Sequence, residues 1–147
     1  MPQAPRSHAL RLGRQSTPGQ IYLITAATDG RDPVFLHFPL ARQLIIALRH
    51  EQKAQRAKTL AFVVMPDHLH WLMSLGSIST LDRVVGGVKS VVAHKAGRRI
   101  WQKGFHDHAL RQEEDLAKVA QYIILNPVRA GLVDRPEDYP HWDTAWT

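Results

Sequence analysis

His68 and His70 stand one residue apart in the run MPDHLHWLMSL, residues 65–75. In a β-strand, side chains at i and i+2 project from one face. Both imidazoles can therefore converge on one point, while Leu69 and Trp71 turn the other way, into a core. Two neutral imidazoles can hold a divalent cation and leave positions open for water or phosphate oxygens. The pattern is also met by two ordinary histidines on a half-polar sheet face, and it implies no third ligand by itself. Tyr122 and Asn126, at i and i+4, add a phenol and a carboxamide to one side of a later helix. From above the sheet the two could reach the same point. The alternative is a core tyrosine followed by an asparagine cap. His106-Asp107-His108 repeats the His-x-His spacing. It reads as a lining for a polyanion path or, less economically, as a second metal pair.

These groups need elements to position them. Residues 20–28 (QIYLITAAT) read as a first strand, 59–65 (TLAFVVM) as a second and 68–75 (HLHWLMSL) as a third. Residues 29–33 (DGRDP) make a turn, and 34–38 are expected to be short and extended. Pro39 can open a helix, in which Leu40, Leu44, Ile45 and Leu48 repeat at helical spacing. Ser79 and Asp82 resemble a capping box, with Asp in place of the usual Glu. The stripe Leu81, Val84, Val85, Val88, Val91 and Val92 then predicts a helix to about Arg98. Residues 101–110 (WQKGFHDHAL) predict a fourth strand bent at Gly104. Glu113, Glu114 and Asp115 suit the first turn of a last helix, whose inner face is Leu116, Val119, Ala120, Ile123 and Ile124. Asn126-Pro127 should end it. The tail from Arg135, with two prolines and two tryptophans, should wrap the surface.

This order predicts an α+β fold: a ferredoxin-like sandwich with one central antiparallel sheet, two helices on one face and the C-terminal, tyrosine-bearing helix near the other. Residues 1–19 read as a flexible basic arm carrying Arg6, Arg11 and Arg14, and residues 20–147 as a single domain.

Composition narrows the function. The chain has 147 residues, no cysteine and a net charge of +6. The missing thiols exclude disulfides, thiolate nucleophiles and cysteine-bound zinc. No stretch has the length of a membrane span, and the N-terminus lacks the apolar centre of a secretory signal. Before Glu113 stand 16 of the 19 basic residues but only 6 of the 13 acidic ones. That asymmetry suits a polyanion such as nucleic acid. Arg98, Arg99, Lys103 and Arg111 flank the fourth strand and suit phosphate contacts.

The stretches MPDHLHWLMSL, GFHDHALRQEEDLAKVAQYIILNPVRAGLV and RPEDYPHW, in that order, resemble the REP-associated tyrosine transposases. So does the opening PGQIYLITAATDGRDPVF, and the resemblance covers residues 19–142. These proteins stand with small bacterial insertion-sequence transposases, in the superfamily of histidine-hydrophobe-histidine endonucleases. The resemblance implies a bacterial, cytoplasmic enzyme that cuts and rejoins single-stranded DNA at the foot of a REP hairpin. It implies Tyr122 as the nucleophile, giving a 5′-phosphotyrosine. It implies His68, His70 and Asn126 as ligands of Mg²⁺ or Mn²⁺. It also implies a monomer, although insertion-sequence relatives act as dimers. Two other readings remain at this level. One is a non-catalytic nucleic-acid binder of ferredoxin-like fold; the other is a metal-dependent nuclease that uses water.

Overall fold

The computed structural model describes residues 16–111 and 115–146. Arg6, Arg11, Arg14, Glu113 and Glu114 lie outside the described residues. The architecture is α+β. Strands β1 (Ile21–Ala27), β2 (Ala57–Met65), β3 (His68–Leu75), β4 (His106–Ala109) and β5 (Trp142–Thr144) form one antiparallel sheet in the order β4-β1-β3-β2-β5. The helices are α1 (Phe38–Lys53), α2 (Leu81–Ala96), α3 (Leu116–Ile124) and the single turn α4 (Asn126–Arg129).

Alternation along β3 separates two cores. Leu69, Trp71, Met73 and Leu75 join Tyr22, Ile24, Phe62 and Val64 beneath Leu44, Ile45 and Leu48 of α1 and Val84, Val88 and Val92 of α2. Each such leucine, isoleucine or valine, fully buried, contributes about 1.5–3 kcal/mol. Trp71 is fully buried, and its indole N–H is satisfied by the Thr59 hydroxyl at 2.9 Å. A second cluster unites Ala61, Val63, Met65 and Leu72 with Ala120 and Ile123 of α3. β3 is therefore apolar on both faces except where His68, His70 and Ser74 stand.

Local chemistry moves several boundaries. Residues 34–38 are not extended. Val34–Leu36 form a 3-10 turn, and Phe38 is already helical. Val34 and Phe35 are buried, Phe35 stacks against Trp101 at 5.5 Å between ring centroids, and its N–H bonds the Pro66 carbonyl at 3.0 Å. The segment thus plugs the end of the sheet instead of pairing with it. The cap of α2 is Thr80, whose hydroxyl accepts from the Arg83 N–H at 3.3 Å, rather than the expected Ser79. Gly97, at φ 72°, takes the left-handed position that ends α2 before Arg98.

The expected fourth strand is divided. Trp101 makes an isolated bridge to Thr28, the backbone turns at Gly104 (φ 76°), and only His106–Ala109 pair with β1. Lys89 holds that turn by donating to the carbonyls of Gln102 and Gly104, at 2.9 and 2.6 Å. The tail does more than wrap the surface. Trp142–Thr144 extend the sheet along β2, and the Tyr139 hydroxyl donates to the Val64 carbonyl. Among the described residues, no helix is long and apolar enough to cross a membrane.

Candidate active site

His68 pairs with Ala27 and Met65 across the sheet, and His70 with Thr25 and Val63. The two imidazoles meet edge to face, 4.7 Å between centroids. Each has its Nδ1 engaged. The Asp67 carboxylate lies 2.8 Å from Nδ1 of His68, and the Thr25 hydroxyl lies 2.9 Å from Nδ1 of His70. A carboxylate acceptor fixes the Nδ1–H tautomer of His68 and leaves a lone pair on Nε2. A hydroxyl can accept in the same way from His70.

The electrostatics favour the neutral form of His70. Burial, followed by the charges of His68, Arg129 and Arg31, pushes His70 down to about 4. For Asp67, burial opposes ionisation, but hydrogen bonds from Arg31 and His68 outweigh it and hold the carboxyl below its usual range. Arg31 donates from Nε to Asp67 Oδ2 at 3.0 Å, and its Nη2 lies 3.5 Å from His68 Nδ1. The turn that presents Arg31 is tight enough to place this residue at φ 56°, directly after Gly30 at φ 63°. Neither Asp67 nor Arg31 emerges as a site residue from the sequence. Asp67 reads there as part of a strand interruption and Arg31 as part of a polar turn.

Asn126 completes the cluster from the other core. Ala120 and Ile123 bury the inner face of α3 and leave Tyr122 62% exposed in its last turn. Pro127 has no N–H to continue the α3 ladder. The chain therefore breaks at Leu125 and restarts as α4, with Pro127 buried. That restart brings the Asn126 amide to 3.4 Å from Nε2 of His68. The contact is through Nδ2, and a half-turn of the amide presents Oδ1 instead.

His68, His70 and Asn126 thus offer two imidazole nitrogens and one amide oxygen, a donor set suited to a divalent cation. The engaged Nδ1 atoms fit such an ion, because they aim the free Nε2 atoms away from the sheet. Among the described residues no three His, Asp, Glu or Cys side chains gather as a metal site. The Asn126 amide, 3.4 Å from His68 Nε2, is placed to serve as a third donor.

Tyr122 lies one turn before Asn126, with the guanidinium carbon of Arg129 3.8 Å from its ring centroid. His106 pairs with Thr25, the residue that also pairs with His70, so it shares their face two strands away. His106 and His108 are exposed, as are Lys103 and Arg111. Arg98 and Arg99 are exposed too, facing Asp32 at 3.6 Å and Asp29 at 3.9 Å. Trp101 and Phe105 are buried in the core.

No family model matches the chain. It is 35% identical over 83 residues to the REP-associated tyrosine transposase of Escherichia coli K12, an alignment covering 54% of this chain and 50% of the relative. The chain thus spans about half the length of that protein. A Haemophilus influenzae protein assigned provisionally to the same group is 25% identical, with 87% of this chain and 81% of that protein covered. The solved structure of a REP-associated tyrosine transposase bound to a REP hairpin superposes with a TM-score of 0.76, at 26% identity, over 88% of this chain and 79% of the other. A Deinococcus radiodurans protein provisionally assigned as a transposase shares the fold at a TM-score of 0.54, with 24% identity and 76% and 93% coverage. By sequence and fold together, the chain is similar to the REP-associated tyrosine transposases.

Proposed function

We propose that this protein is a metal-dependent single-stranded DNA endonuclease and strand transferase acting beside REP-type hairpins. The observation that carries the reading is the meeting of His68 and Asn126 at 3.4 Å, beside His70 and one turn after Tyr122, in a chain similar to this family. On this reading the fold is a ferredoxin-like sandwich whose tyrosine helix serves the histidine-bearing face.

Tyr122 is the nucleophile. Its oxygen attacks the scissile phosphorus in line with the departing 3′-oxygen. The phosphorus–3′-oxygen bond breaks as the phosphorus–tyrosine bond forms. The phenolic proton is lost and the leaving oxygen takes one up, giving a 5′-phosphotyrosine and a free 3′-hydroxyl. One ester replaces another, so the step can run backward onto a different 3′-hydroxyl and join strands. His68, His70 and Asn126 would hold Mg²⁺ or Mn²⁺. The bound cation would neutralise the scissile phosphate and make its phosphorus more electrophilic. Asp67 and Thr25 orient the two imidazoles.

Arg98, Arg99, Lys103, His106, His108 and Arg111 contact the DNA backbone, and Arg6, Arg11 and Arg14 add contacts from the N-terminal arm. Such contacts position DNA without reading its sequence. The protein acts as a monomer in the bacterial cytoplasm, on the nucleoid.

Labelled single-stranded hairpin oligonucleotides, incubated with Mn²⁺ or Mg²⁺, test the proposal on denaturing gels. The wild type should form a covalent protein–DNA adduct, and Tyr122→Phe should form none. An adduct with Tyr122→Phe removes the nucleophile assignment. Free 5′-phosphate ends with no adduct indicate hydrolysis by water, and binding without cleavage indicates a non-catalytic binder.

A further inference from the structure

We infer that Arg129 is a positioning residue for Tyr122, its guanidinium holding the exposed ring in place beside the histidine pair. The inference rests on the proposed role of Tyr122 as nucleophile. Its own basis is the geometry of the short helix α4.

A tyrosine that is 62% exposed has little packing to choose its rotamer. A cation contact to its ring comes from Arg129, with Cζ 3.8 Å from the centroid. That is cation–π and stacking distance, at which a planar guanidinium lies against an aromatic face. A contact on the face leaves the hydroxyl unobstructed, as in-line attack requires.

Arg129 is placed there by backbone that the site already needs. It stands at i+3 from Asn126 in α4, so the two side chains share one side of that turn. Asn126 reaches His68, while Arg129 reaches back to the turn before it. The helix turn is closed by the Ala130 N–H on the Asn126 carbonyl at 2.9 Å and by the Leu132 N–H on the Pro127 carbonyl at 2.9 Å. Pro127 is buried beneath. One anchored turn thus aims a donor at the histidines and a cation at the tyrosine.

Its charge balance also separates Arg129 from the other arginines around the site. Arg31, Arg98 and Arg99 each face a carboxylate, of Asp67, Asp32 and Asp29 respectively. Among the described residues no carboxylate pairs with Arg129. Its N–H groups remain available to a phosphate oxygen while its plane stays on the ring.

The test uses the full chain, hairpin DNA and Mn²⁺, with single-turnover adduct formation followed over a range of DNA concentrations. Arg129→Ala should lower the saturating rate about 10–100-fold, the scale of a misplaced reacting group. Its half-saturating DNA concentration should move by less than about threefold. Arg129→Lys should restore part of the rate and Arg129→Gln none. In solution, the Arg129 Nε–H resonance should be displaced upfield by the ring and return on Tyr122→Leu. Arg129 is exposed, so these variants should keep the wild-type circular dichroism. A raised half-saturating concentration with an unchanged saturating rate overturns the inference and makes Arg129 a plain phosphate contact. A wild-type rate in Arg129→Ala overturns it as well. Either result, alongside a Tyr122→Phe variant that forms no adduct, leaves the nucleophile standing. An adduct with Tyr122→Phe instead sinks both.

Discussion

Asp67 and His68 are neighbours in sequence and partners in space: the Asp67 carboxylate lies 2.8 Å from Nδ1 of His68. The strand begins at His68, so Asp67 is free of the pleat and can turn its side chain back onto the next residue. The contact directs the Nε2 lone pair outward, where Asn126 waits.

Replacing Asp67 with Asn keeps the size but weakens the acceptor and frees Arg31 from its ion pair. Partners of this kind typically contribute 10–100-fold to metal affinity. Asp67→Asn should therefore weaken Mn²⁺ binding by about that factor while thermal stability changes little. Titration calorimetry with Mn²⁺ checks it, and unchanged affinity would remove Asp67 as the orienting group.

Asn126 can be tested by side-chain length. Asn126→Ala removes the amide 3.4 Å from His68 Nε2 and should abolish metal-dependent adduct formation. Asn126→Gln keeps the donor one methylene further out and should retain a fraction of the wild-type rate. Adduct yield against Mn²⁺ concentration distinguishes the two, and equal loss in both variants would point to a capping role.

Arg98 and Arg99 lie more than half exposed and face their carboxylates at 3.6 and 3.9 Å. Exposed pairs of this kind hold about 0–1 kcal/mol, so the arginines can exchange Asp for phosphate. The double variant Arg98→Ala, Arg99→Ala should bind all hairpins more weakly, with the salt slope of log K reduced by about 1–2. Fluorescence anisotropy between low and moderate salt measures this. An unchanged slope would move the DNA path elsewhere.

Tyr139 ties the tail to the sheet. Burial raises its phenol to about 12, and its hydroxyl bonds the Val64 carbonyl. The unfolded phenol titrates near 10. The folded state therefore retains the proton more strongly, and this stability is complete below about pH 10 and lost as pH rises toward 12. Urea midpoints should fall over that window, and less steeply in Tyr139→Phe. At neutral pH, Tyr139→Phe should cost about 0.5–1.5 kcal/mol for the lost hydrogen bond. Equal alkaline slopes in the two proteins would exclude Tyr139 as the source.

Much of the fold can be read from periodicity, because burial imposes it. β3 begins at His68 and ends at Leu75 as its alternation predicts, and the valine stripe of α2 is buried at Val84, Val85, Val88 and Val92. The valine at 91 is exposed, since it falls off the contact line with the sheet. The same-face placement of His68 and His70 likewise follows from the repeat of the strand. Other features depend on partners far away in sequence. β5 is only three residues long and becomes a strand because the edge of β2 has open hydrogen bonds. Residues 34–36 coil because Phe35 meets Trp101, more than sixty positions later. Asn126 reaches His68 because buried Pro127 ends the last helix and the chain restarts with Asn126 turned inward. Arg31 reaches Asp67 across a turn whose direction no local pattern specifies. Repeating patterns of hydrophobicity thus determined the elements and the pairs of chemical groups they carry. Only tertiary packing decided which pairs meet, because that depends on how the two faces of the sheet bury their separate cores.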